Sequence, residues 1–138
     1  MKKQKLSLAH NFRASDLSTT EKPPVIIMLH GYGSDENDLF SFASELPSKY
    51  TIISLRAPYP MQPYGNAWYA IHFDADENKF SDDVQARESR DLIATFIDEI
   101  TNKYPIDKNK VTLVGFSQGT ILSYATALSY PNKIARVV

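Results

Sequence analysis

Three short runs of apolar residues constrain the fold of this 138-residue chain more than any other feature. They read "VIIMLH" at 25–30, "YTIISL" at 50–55 and "VTLVGF" at 111–116. Continuous apolar, β-branched runs of this length are typical of strands buried on both faces, as in a parallel sheet that helices cover. The segments between them carry helical signals. The pattern therefore predicts an α/β fold with a mainly parallel sheet flanked by helices.

The segments around these runs predict the remaining elements. Helical spacing of apolar residues predicts helices at 35–46, about 81–104 and about 117–130. Ser34 or Asp35 is the expected cap of the first helix, and Pro47 ends it. "QKLSLAHNF" is expected to form a first strand at an edge of the sheet. Residues 57–81 are rich in proline and aromatic residues, and they predict a long irregular loop that forms the wall or lid of a site.

Composition excludes several classes of function. Acidic and basic residues nearly cancel, with a net charge of −1, so nucleic acid is not an expected partner. The chain has no cysteine, which excludes disulfides, thiolate metal sites and a cysteine nucleophile. The N-terminal "MKKQKLSLAHNF" is positive but lacks the apolar stretch of a signal peptide, and no run is long enough to span a membrane. The expected location is therefore cytoplasmic.

The stretch "VTLVGFSQGT" carries the strongest chemical signal in the chain. Ser117 lies between Gly115 and Gly119, where a predicted strand turns into a predicted helix. This G-x-S-x-G context is typical of a nucleophile elbow, in which small residues let strand and helix approach closely around an exposed serine. The N-terminus of the following helix also favours negative charge that develops nearby. The alternative is a purely structural turn between a core strand and a core helix.

A second motif, "HGYGS" at 30–34, follows the first apolar run. Gly31 and Gly33 allow the loop to aim a backbone N–H group at an acyl oxygen. The N–H groups of Tyr32 and of Gln118, the residue after the serine, are the predicted oxyanion hole. His30 is interpreted as a residue that fixes the loop conformation and not as a general base.

The segments "HGYGSDENDL", "LRAPYP", "AWYAI" and "VTLVGFSQGT", in this order, resemble the phospholipase/carboxylesterase family of α/β-hydrolases. That family includes bacterial carboxylesterases and acyl-protein thioesterases. The resemblance implies an α/β-hydrolase fold and a serine hydrolase that needs no cofactor or metal and cleaves small-molecule carboxylic esters or thioesters. It assigns Ser117 as nucleophile and Tyr32 and Gln118 as oxyanion hole. Thr120 departs from the pattern, since the family commonly has glycine there.

The aromatic residues of the 57–81 segment leave two interpretations open. They could line an apolar acyl pocket, or they could anchor the loop to the core. Trp68 and Tyr69 are the preferred pocket residues, because the family has a similar "AW" segment near its site.

The end of the chain departs most from the family pattern. In α/β-hydrolases the acid and the histidine of the triad follow the serine, but no Asp, Glu or His follows Ser117 here. We therefore expect residues 1–138 to be a single α/β-hydrolase domain whose C-terminal portion is missing. A completing C-terminal segment or a homo-oligomer is a possible partner. The alternative is a non-catalytic remnant, or a half-enzyme that needs another chain.

Overall fold

One 3-10 helix and two α-helices separate groups of strands in the described part of the chain. A computed structural model describes Lys3 and residues 5–18, 20–76 and 78–138. The elements in these residues are, in chain order, β1 (His10–Arg13), β2 (Val25–Leu29), a 3-10 helix (Leu39–Glu45), β3 (Thr51–Leu55), β4 (Tyr59–Pro60), β5 (Asn66–Ala67), β6 (Ile71–Phe73), β7 (Lys79–Ser81), α1 (Asp83–Lys103), β8 (Val111–Gly115), α2 (Gln118–Ser129) and β9 (Arg136–Val137).

The three apolar runs form adjacent strands of the main sheet, whose order is β1-β3-β2-β8-β9. Strand β2 pairs in parallel with both β3 and β8, and β8 pairs in parallel with β9. The exception is β1, which is antiparallel to β3 at one edge, where an edge strand was predicted. The prediction of a mainly parallel sheet flanked by helices is therefore confirmed.

Alternating residues of β2 supply two separate apolar layers. Val25, Ile27 and Leu29 belong to the larger buried cluster, which includes residues of α1 and α2. Ile26 and Met28 face the other side, where they pack with residues of the 3-10 helix. Successive side chains of a strand point to opposite faces, so a run that is apolar throughout is covered on both sides.

Two predicted elements differ from the structure. The predicted helix at 35–46 is a 3-10 helix that begins only at Leu39, and neither Ser34 nor Asp35 caps it. Ser34 pairs its backbone with Asn66 instead, and Asp35 accepts a hydrogen bond from the Asn37 N–H group. The Ser34 hydroxyl donates to the Asp38 carboxylate at 2.9 Å, so the side-chain oxygens of Ser34 and Asp35 are both engaged before the helix begins.

The predicted loop at 57–81 is more ordered than its proline content suggested. It contains two short hairpins, β4 with β5 and β6 with β7. Helix α1 then begins after its N-cap, Asp82, whose carboxylate accepts a hydrogen bond from the Gln85 N–H group at 3.0 Å. None of the helices in the described part of the chain is both long and apolar enough to cross a bilayer.

Candidate active site

The two glycine-rich motifs meet at the carboxyl edge of the sheet. Leu29 and Gly115 are register partners at the ends of the parallel strands β2 and β8. The Phe116 N–H group donates to the Leu29 carbonyl at 3.1 Å, just beyond the last strand pair. "HGYGS" and "FSQG" therefore leave the sheet side by side, at the edge where open α/β sheets place their sites.

Ser117 lies at a sharp turn between β8 and α2. Its backbone angles are φ 53° and ψ −118°, and among the described residues it alone combines a side chain with a positive φ. This is a sparsely populated conformation for an L-residue, which persists only where the surrounding structure enforces it. The residue is exposed, and α2 begins at the next position. The strand, the sharp turn and the helix that the G-x-S-x-G motif predicts are therefore present around Ser117.

Close backbone approach explains both glycines of the motif. A Cβ atom on Gly119 would lie 2.0 Å from the Leu29 carbonyl oxygen, and one on Gly115 would lie 2.5 Å from the Thr120 nitrogen. Both distances are far below van der Waals contact. The spacing of the motif is therefore a packing requirement of α2 against β2 and β8.

The loop after β2 forms a tight turn against Ser117. The Ser34 N–H group donates to the Gly31 carbonyl at 3.2 Å, and Gly33 has a φ of +80°, as the third residue of a type II turn requires. A Cβ atom built on Gly31 would lie 3.5 Å from Ser117 Cβ. Within the described residues, no acceptor is found for the N–H groups of Tyr32 and Gln118. The predicted oxyanion donors are thus unused by the fold.

His30 is fully buried beneath this loop. Its Nε2 accepts a hydrogen bond from the Ala57 N–H group at 3.0 Å, which leaves Nδ1 to donate to the Gly31 carbonyl at 2.7 Å. Burial lowers the pKa of this imidazole below its ordinary value. These contacts support the interpretation of His30 as a structural residue and leave neither ring nitrogen free to act as a base.

The structure places the proposed pocket residues Trp68 and Tyr69 inside the core. Trp68 is 0% exposed and Tyr69 is 6% exposed, and both belong to the larger buried cluster. The Trp68 indole donates to the His30 carbonyl at 2.8 Å. For Trp68 this corrects the preferred interpretation, because a fully buried ring has no surface left for a substrate. A pocket role for Tyr69 stays a prediction.

Sequence reasoning missed the side chain of Gln118, which is also buried. Its Oε1 accepts from the Trp68 N–H group at 2.8 Å, and its Nε2 donates to the Tyr69 carbonyl at 2.9 Å. It also missed Ser89, whose hydroxyl donates to the Trp68 carbonyl at 2.5 Å. No signal in the sequence pointed to these contacts, because the partners of the Gln118 side chain lie 50 and 49 positions away.

The sequence profile of the family described as Phospholipase/Carboxylesterase matches residues 16–138. The chain belongs to this family. It is 30% identical over 125 residues to acyl-protein thioesterase 1 of Candida albicans, an alignment that covers 82% of this chain and 54% of the thioesterase. The chain thus spans about half the length of that curated relative.

Solved structures show the same fold for this phospholipase/carboxylesterase family member. The Bacillus cereus carboxylesterase superposes with a TM-score of 0.78 at 21% identity, over 95% of this chain and 58% of that chain. Esterase PE8 also gives a TM-score of 0.78 at 21% identity, over 96% of this chain and 62% of that chain. The α/β-hydrolase fold is therefore confirmed, with only part of it present in these residues.

Proposed function

We propose that this chain carries the nucleophile and the oxyanion hole of a serine hydrolase that cleaves carboxylic esters or thioesters. The observation that carries the proposal is the strained, exposed Ser117 at the start of α2, facing the turn that holds Tyr32. A strained conformation that the fold maintains at an exposed serine favours a chemical role over a purely structural turn.

In the proposed reaction, Ser117 Oγ attacks the acyl carbon and its proton passes to a general base. The oxyanion that forms accepts hydrogen bonds from the Tyr32 and Gln118 N–H groups, donors that are worth about 2.7–4 kcal/mol each when removed. The C–O or C–S bond then breaks, the alcohol or thiol leaves with the base's proton, and water hydrolyses the acyl-enzyme.

The general base is proposed to come from outside these 138 residues. His30 uses both ring nitrogens within the fold, His10 is buried with Nδ1 bonded to the Leu8 carbonyl, and His72 contacts Asp82 at 3.3 Å. No Asp, Glu or His follows Ser117. The family profile matches residues 16–138, and we propose that residues 1–138 belong to one α/β-hydrolase domain.

The relatives suggest the substrate class. One is named a carboxylesterase and another an acyl-protein thioesterase, so short esters and acyl thioesters are the first substrates to test. The family description also includes phospholipases, which adds lysophospholipids. A cytoplasmic location and a homo-oligomeric state stay predictions.

A non-catalytic remnant, in which the turn at Ser117 serves packing alone, is the second candidate function. The close approach of Gly119 to the Leu29 carbonyl oxygen favours it, since packing by itself requires that glycine. Denaturing intact-mass spectrometry of the protein from its native source, before and after treatment with a fluorophosphonate, separates the two. One adduct that is lost in Ser117→Ala and retained in Ser129→Ala, an exposed serine at the end of α2, would support the hydrolase. A protein that gains no adduct would favour the remnant.

A further inference from the structure

The four residues after the β4–β5 turn, 66–69, contact both halves of the candidate oxyanion hole, and we call them the bridging segment. We propose that the bridging segment is a positioning element, in which Trp68, held by the Gln118 side chain, keeps the Tyr32 and Gln118 N–H donors in fixed relative geometry. This inference rests on the proposed function and assigns a role to residues that do not touch the substrate.

One end of the bridging segment holds the turn that carries Tyr32. The Asn66 carbonyl accepts from the Gly33 N–H group at 2.9 Å, and the Asn66 N–H group donates to the Ser34 carbonyl at 2.9 Å. The turn is therefore fixed on the side that follows Tyr32.

The Trp68 indole holds the same turn on the side that precedes Tyr32. Its Nε1–H group donates to the His30 carbonyl at 2.8 Å. The indole ring and the His30 imidazole ring have centroids 5.5 Å apart. Through Asn66 and Trp68, one short segment thus binds the chain on both sides of the first donor.

The other half of the oxyanion hole is bound through the Gln118 side chain. Its carbonyl oxygen accepts from the Trp68 N–H group, and its amide nitrogen donates to the Tyr69 carbonyl. A rotated amide would place like groups against each other at both positions, so the orientation of the side chain is fixed. The Ser89 hydroxyl donates to the backbone carbonyl of Trp68.

The hydrogen bonds that join the bridging segment, Gln118 and Ser89 form a network of the kind that holds groups in one relative arrangement. The side chains of Trp68, Gln118 and Ser89 are buried and hydrogen-bonded, and buried networks of this kind rigidify a core and specify one arrangement. Oxyanion donors must stand about 2.7–3.1 Å from the charge that develops, and a displacement of about 1 Å can cost about 100-fold in rate. The Phe116–Leu29 hydrogen bond links the two motifs at the edge of the sheet, and Gly31 packs against Phe116 and Ser117 beyond it. The bridging segment adds hydrogen bonds that tie the two donor-bearing segments together.

The first test reads the network without any activity. Trp68 is the only tryptophan of the chain, so its indole N–H group gives one unambiguous NMR signal. Gln118→Met removes both amide hydrogen bonds and should speed indole hydrogen exchange at least about 10-fold relative to amides of β2. Thr126→Val is the matched control, because it removes another buried side-chain bond of α2, to the Leu122 carbonyl at 2.7 Å. Equal indole exchange in the two variants would overturn the proposal.

The second test separates positioning from general stability in the full protein. A short alkyl trifluoromethyl ketone forms a hemiketal when Ser117 Oγ adds to its carbonyl carbon. The C=O electron pair moves to oxygen, the serine proton passes to the general base, and no group leaves. The matching alkyl ether binds without this oxyanion. Trp68→Phe, which loses the indole donor, and Gln118→Met should each weaken the ketone about 10-fold to 100-fold and the ether less than about twofold.

The outcomes distinguish the two proposals. Unchanged ketone binding, or equal weakening of ketone and ether, would show that the bridging segment does not position the donors. A native protein that forms no ketone adduct and hydrolyses no ester would refute the proposed function, and the positioning role would fall with it. Weakening of the ketone alone in both variants, with Thr126→Val unchanged, supports the proposal.

Discussion

The backbone conformation of Ser117 makes a quantitative prediction about stability. With φ at 53° and ψ at −118°, an L-residue here is expected to carry strain of about 1–3 kcal/mol, which glycine would largely release. Glycine adds about 0.5–1 kcal/mol of chain entropy to the unfolded state. The mid-range values, about 2 kcal/mol of strain and about 0.75 kcal/mol of entropy, predict that Ser117→Gly is more stable than Ser117→Ala by about 1 kcal/mol, although both variants lack the serine hydroxyl.

Urea unfolding followed by the fluorescence of Trp68 measures this difference, because the single tryptophan is fully buried in the folded chain. Ala125, within α2, provides the matched control. At position 125 glycine should be less stable than alanine, so Ala125→Gly should be about 1 kcal/mol less stable than the wild type. If Ser117→Ala equalled or exceeded Ser117→Gly in stability, the elbow would not be strained and the main argument for a chemical role of Ser117 would fail.

Three further variants test the packing and the charges around the site. Gly119→Ala should lower the free energy of unfolding by about 3 kcal/mol or more, since its Cβ would lie 2.0 Å from the Leu29 carbonyl oxygen; urea unfolding measures it. Burial lowers the pKa values of His10 and His30 below 6.5 in the folded state, so the unfolded state takes up protons first and stability should fall from about pH 7 to about pH 5. In the double variant His10→Gln/His30→Gln, the free energy of unfolding should fall less over this pH range; urea unfolding at each pH measures it. Asp82→Ala should lower the Tm more than Asp82→Asn, because asparagine still caps α1.

Each of these expectations can fail in a distinct way. A Gly119→Ala protein as stable as the wild type would mean that α2 can move away from β2 at little cost. A pH profile that is the same with and without the two histidines would show that they titrate normally when folded. Equal Tm values for the two Asp82 variants would show that the cap contributes nothing.

The strands were predictable because their signal is local. Val25, Ile27 and Leu29 face one apolar layer while Ile26 and Met28 face the other, and a continuous apolar run is what two covered faces require. Helix α1 was predicted almost to its ends for the same reason, since its apolar residues recur at helical spacing. The start of the 3-10 helix was misplaced because the backbone of Ser34 pairs with Asn66, a distant residue that sequence spacing does not reveal as its partner.

The candidate site shows the same difference between local signals and long-range contacts. The sequence by itself determined the family, the serine, and the need for glycine at 115 and 119, because a strand that turns sharply into a helix requires small neighbours at fixed spacing. Only the tertiary structure decided what Trp68, His30 and the Gln118 side chain do. Apart from Gly31, which His30 also contacts, their partners lie 21 to 50 positions away. Their roles depend on burial and hydrogen bonds that form when those distant segments pack together.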